Sequence, residues 1–103
     1  MKIDTVERDG TTSMRLDGRL DAHSSAKFET EMNQLIADGA RLVDIDFSKI
    51  DFVTSSGLRV LLAAARRLKG LGGTLTVSGL NKTVEEIFDV AGFASLLKLW
   101  SKQ

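Results

Sequence analysis

Apolar residues recur along this chain with a period of two and then of nearly four, and the change of period marks out its elements in order. Residues 2–7 and 11–16 show strand-like alternation and meet at Asp9-Gly10, a strong hairpin signal. Gly18-Arg19-Leu20-Asp21 leads into a helix from about Ser24 to Ala37. Its apolar face is Phe28, Met32, Leu35 and Ile36, spaced i, i+4, i+7 and i+8, and Gly39 stops it. Residues 41–47 return to alternation, with Val43, Ile45 and Phe47 set against Asp44 and Asp46. A second helix, about Ser56 to Lys69, carries Leu58, Leu61, Leu62, Ala65 and Leu68 on its inner stripe. Gly70, Gly72 and Gly73 end it and open a strand from Thr74 to Ser78. Asn81 then caps a third helix with Val84, Ile87, Phe88 and Ala91 facing inward, closed by Gly92. Leu96 to Trp100 reads as a last strand.

Strands alternating with helices imply right-handed crossovers and a largely parallel sheet. The fold class expected is therefore α/β: a small, mostly parallel sheet with packed helices and the N-terminal hairpin strand at its edge. The strands alternate polar and apolar residues, so part of the sheet is expected to be uncovered. Leu61, Leu62, Ile45 and Phe88 are the expected centre of the core. A chain of 103 residues, without linkers or repeats, fits one domain over 1–103.

Composition mainly excludes. Lys plus Arg and Asp plus Glu are 14 each, so the basic excess of a nucleic-acid binder is missing. Zero cysteines exclude a disulfide framework, a thiolate metal site and redox chemistry. Residues 1–5 carry no signal peptide and no apolar run approaches a membrane span, which places the expected location in the cytoplasm, away from membranes. Enzyme readings lack their parts. Val53-Thr54-Ser55-Ser56-Gly57 lacks the first glycine of a nucleophile elbow, and any histidine-based triad would depend on His23 alone. Gly70-Leu71-Gly72-Gly73 follows a helix and precedes a strand, the reverse of a phosphate loop. No metal cluster or cofactor motif is present.

The chemistry that remains lies at Val53-Thr54-Ser55-Ser56-Gly57-Leu58, between a strand and a long amphipathic helix. Two serines stand at a helix N-terminus, where orphan N–H groups and the dipole favour an anion. A phosphoryl group there adds nearly two negative charges to a surface of hydroxyls. The plainer reading of the pair is an N-cap. On the outer side of the helix lie Arg59, Arg66, Arg67 and Lys69, interleaved with Val60, Ala63 and Ala64 off the core stripe. That mix fits a solvated, dipole-matched face or a protein-docking patch. Asp21 and Asp46 read as a loop cap and a solvated strand-end charge rather than a catalytic pair.

Gly18-x-Leu20-Asp21, Val43-x-Ile45-Asp46-Phe47-Ser48, Phe52 through Leu58, Gly72-Gly73-Thr74-Leu75 and Val84 through Phe93, in this order, resemble a STAS domain. More narrowly they resemble the stand-alone bacterial anti-sigma factor antagonists, over essentially the whole chain. The resemblance implies a partner switch. The unphosphorylated antagonist binds an anti-sigma factor that is also a serine kinase of GHKL type, and so frees a client. Phosphorylation ejects the antagonist, and a PP2C-type phosphatase restores it. By position the acceptor is Ser55, with Ser56 and Thr54 as lesser candidates and Ser56 as the expected helix cap. Docking is assigned to Asp21, Thr54, Ser56 and Gly57 around the acceptor and to Arg59, Val60 and Ala63 on the helix. Thr54 departs from the aspartate usual there, which removes a negative charge beside the acceptor. Competing readings on the same fold are a constitutive subunit or scaffold of a transport or signalling assembly, and a small-ligand sensor at the helix N-terminus.

Overall fold

A computed structural model of the chain describes residues 1–90. Strands β1 (Lys2–Arg8) and β2 (Thr11–Leu20) form the predicted hairpin, followed by helix α1 (Ala22–Ala37) and strand β3 (Leu42–Val53). Helix α2 (Ser55–Gly70), strand β4 (Thr74–Ser78) and helix α3 (Lys82–Val90) complete the order. The expected positions of Ala91, Gly92 and the strand at 96–100 fall outside the described residues.

The hairpin turns on Asp9 and Gly10, both at positive φ (54° and 83°), the twist that suits a two-residue connection. The sheet order is β1-β2-β3-β4; β1 pairs antiparallel at the edge, and the β2–β3 and β3–β4 pairs are parallel. This is the fold class expected from the sequence. All three helices pack on one face, that of Met14, Leu16, Val43, Ile45, Phe47, Leu75 and Val77, all buried. Among the described residues the opposite face is open. It carries an Arg15–Asp46 ion pair (3.4 Å) and a Thr76 hydroxyl donating to Asp44 (2.8 Å). Burial alone would raise the Asp46 carboxyl, but the Ser48 N–H and Arg15 outweigh it and hold it below the usual range.

Strands β2 and β3 are longer than their hydrophobic alternation indicates. Between the Arg15–Asp46 and Arg19–Phe52 pairs the register shifts twice, because β3 carries extra residues there. Its buried positions accordingly change from Val43, Ile45 and Phe47 to Ile50 and Val53, three apart.

The inner stripe of α2 needs correction. Gly57, Leu58, Leu61, Ala64, Ala65 and Leu68 are buried, whereas Leu62 is only half-buried and outside the core cluster. The packed arc is rotated toward α1, so Ala64 lies inside, not on the outer face. Leu61→Ala should therefore cost about 2–5 kcal/mol and Leu62→Ala clearly less, as read from paired urea denaturation curves. Equal losses would contradict the observed packing.

Helix α3 starts as expected: the Asn81 side chain accepts from the Val84 N–H (2.8 Å) and donates to the Ile50 carbonyl (3.0 Å), tying the cap to β3. Its Phe88 meets Phe47 edge-on, with centroids 6.1 Å apart.

Candidate functional site

Parallel pairing of Leu20 with Val53 brings the ends of β2 and β3 together, so the helices that follow start side by side. Both N-termini, with their positive dipole ends, emerge from one end of the sheet.

Each start is built differently. At α1, Asp21 is the N-cap: its carboxylate accepts the Ser24 N–H (3.0 Å), and the Ser24 hydroxyl accepts the Asp21 N–H (2.9 Å). This reciprocal box satisfies two orphan donors. The Ser24 N–H bond holds the Asp21 carboxyl below its ordinary range. The negative charge is thus committed to the α1 terminus.

At α2 the N-cap is Thr54, but its side chain makes no capping bond. Its backbone N–H (2.9 Å) and its hydroxyl (3.1 Å) both donate to the Leu20 carbonyl. Thr54 is therefore a brace between the two strand ends. Ser56 is not the cap; it lies inside the first turn and is half-buried. The first turn holds no acidic residue, so nothing there neutralises the helix dipole.

Ser55 is the first helical residue and is exposed. Gly57 is buried, and a Cβ on it would lie 2.6 Å from Leu20 Cγ, far inside van der Waals contact. Glycine lets α2 start close against the end of β2, which fixes the position of Ser55. Of the residues assigned to docking, Arg59 and Ala63 are exposed and Val60 and Ser56 half-buried along one side of α2. Asp21, Thr54 and Gly57 are engaged within the fold and position the loop.

Two features were missed from the sequence. The Arg19 guanidinium lies over the Phe52 ring (5.7 Å), and that ring is 40% exposed next to the serine loop. Their link is cross-strand register, which no local spacing reveals. The α1 residues Ala22, Ser25, Ala26 and Glu29 also line a groove with Ser56, Arg59, Val60 and Ala63. The small side chains of α1 were the available signal.

The site offers an accessible hydroxyl, an uncapped helix terminus and an adjacent basic and small apolar surface. Among the described residues no group of His, Asp or Glu is placed to hold a metal ion, and no helix is long and apolar enough to cross a membrane.

Comparison with known proteins places this arrangement. The STAS domain family model matches residues 2–102. A Bordetella bronchiseptica protein named as an anti-sigma factor antagonist, BtrV, is 31% identical over 93% of this chain and 83% of its own length. The fold also matches an anti-sigma factor antagonist from Mycobacterium paratuberculosis, with TM-score 0.87, 21% identity, and coverage of 97% of this chain and 85% of that one. The Bacillus cell-fate determinant SpoIIAA in its phosphorylated form matches with TM-score 0.78 and 21% identity, over 99% of this chain and 91% of that one. The four-stranded sheet, the helices on one face and the family match agree: this chain belongs to the STAS domain family and is similar to its anti-sigma factor antagonists.

Proposed function

We propose that this protein is an anti-sigma factor antagonist that works by binding, as a single STAS unit spanning 1–103 in the cytoplasm. The unphosphorylated form engages an anti-sigma factor and releases that factor's client. The partner is also a GHKL-type serine kinase that phosphorylates Ser55 and so ends the complex, and a PP2C-type phosphatase resets it. The chain supplies no catalysis of its own in this cycle.

The carrying observation is Ser55: an exposed hydroxyl at an uncapped helix start, in a family with a relative known in phosphorylated form. A kinase can reach the hydroxyl, and the helix terminus accommodates a phosphate without unfolding. Direct contact is assigned to Ser56, Arg59, Val60 and Ala63, and positioning of the loop to Asp21, Thr54 and Gly57. Incubation with the anti-sigma factor and ATP, followed by mass spectrometric mapping, should place one phosphate on Ser55. Phosphate confined to Ser56 or Thr54 would move the switch; none at all would favour a constitutive subunit.

Arg59→Glu should weaken binding of the anti-sigma factor at least about tenfold with the melting temperature unchanged, because the side chain is exposed and its charge faces the partner. Full affinity in both Arg59→Glu and Val60→Asp would place the interface elsewhere.

A further inference from the structure

Strand β1 is an edge of the sheet, and among the described residues it pairs with β2 alone. Every residue of it except Ile3 is exposed. Val6, at 54%, is the most exposed large apolar side chain among the described residues. Such an edge offers a row of N–H and C=O groups to another strand. Arg8 and Thr11 close a two-residue turn and so form a hydrogen-bonded pair. Alternation along the strand then turns the backbone groups of Ile3, Thr5 and Glu7 outward.

The side chains decide which strand fits. Ile3, Thr5 and Glu7 lie opposite Leu16, Met14 and Thr12, which are buried, so Asp4, Val6 and Arg8 share the open face. Asp4 stands opposite Arg15, which pairs with Asp46 (3.4 Å), and the alternation of charge across the sheet thus ends on Asp4 at the edge. An acid, an apolar residue and a base in this order are complementary to the same strand running the other way. Two copies placed antiparallel about a dyad at Val6 set Asp4 against Arg8 twice and Val6 against Val6. These are non-hydrogen-bonded positions, where side chains approach closest, while Thr5 and Glu7 exchange backbone bonds. Neighbouring registers fail. A dyad at Thr5 sets Lys2 against Arg8, one at Asp4 joins two aspartates, and one at Glu7 joins two glutamates. The charges that turn away unrelated strands therefore admit a second copy of this one.

We infer that the chain forms a reversible homodimer by pairing β1 with β1 of a second copy, which joins two four-stranded sheets into one. The dyad runs the two β2 strands in opposite directions, so the two serine loops emerge at opposite ends of the joined sheet. The inference stands independently of phosphorylation at Ser55.

Sedimentation equilibrium of full-length wild type should show the mass rising from one chain toward two between about 10 µM and about 1 mM. Asp4→Arg and Arg8→Asp each set like charges together at both ends of the pairing, and each should weaken the dimer at least about tenfold. Mixed one to one, the two variants face opposite charges again and should recover the wild-type mass, a result that a damaged fold cannot produce. Thermal melts of each variant accompany the measurement. Val6→Cys introduces the only thiol, since the chain has no cysteine, and should oxidise to a covalent dimer. Lys2→Cys, whose copies lie far apart on either side of the dyad, should not. Wild type that remains one chain at about 1 mM overturns the inference. So does a dimer that both charge variants keep, that their mixture fails to restore, or that Lys2→Cys traps as readily as Val6→Cys.

Discussion

Ser55→Asp should bind the anti-sigma factor about thirtyfold to several-thousandfold more weakly than wild type while melting at the same temperature or slightly above it. A charge left unpaired in a formed interface costs about 2–5 kcal/mol, and that range sets the affinity loss. The fold is spared because Ser55 is exposed and opens a helix whose first turn has no acidic residue to repel it. Ser55→Ala should bind like wild type and remain bound in the presence of ATP. Titration calorimetry and thermal denaturation of the two variants provide the check. Undiminished affinity in Ser55→Asp would remove the switch from this residue, and a collapsed melting temperature would show that the loop is structural.

Phe47→Ala should be the most damaging core truncation, costing about 3–5 kcal/mol from a small domain's total of about 5–15 kcal/mol. Phe47 is fully buried, and its ring meets that of Phe88 edge-on at 88°, so truncation removes both burial and a favourable ring contact. Because Phe47 is where α3 meets the sheet, the helical signal in circular dichroism should begin to fall at lower urea than in wild type. A loss under about 1 kcal/mol would mean that α3 is not held through this pair.

The order of elements was legible because each change from alternation to helical spacing is local. Val43, Ile45 and Phe47 announce β3, and Asn81 announces the α3 cap that the structure shows bonded to Val84. The end of β3 was not legible: the extra residues opposite β2 break the two-residue period, and only the neighbouring strand discloses where pairing resumes. The α2 stripe was misjudged by one residue for a related reason. Leu62 outranks Ala64 in hydrophobicity, but the close approach of α1 selects the alanine.

At the candidate site, Ser55 could be singled out from its motif, and its exposure agrees with the solvent-facing hydroxyl expected of an acceptor. The role of Thr54 could not. Its bonds reach Leu20, thirty-four residues away in sequence, and depend on parallel pairing.

The brace formed by Thr54 has a consequence for signal fidelity. Three hydroxyls stand in a row at residues 54–56, yet they are unequal nucleophiles: the first is held by the Leu20 carbonyl, the last is half-buried, and the middle one faces water. For the proposed kinase, regioselectivity would thereby be built into the substrate, and the enzyme would need little discrimination among neighbouring residues. With Ser55 as the proposed acceptor, each molecule would store a single bit, and the pool would report the balance of writing and erasing as a simple fraction. Multiply modified species, which would blur that fraction, are then disfavoured by the Thr54–Leu20 bond on one side of Ser55 and by the half-burial of Ser56 on the other.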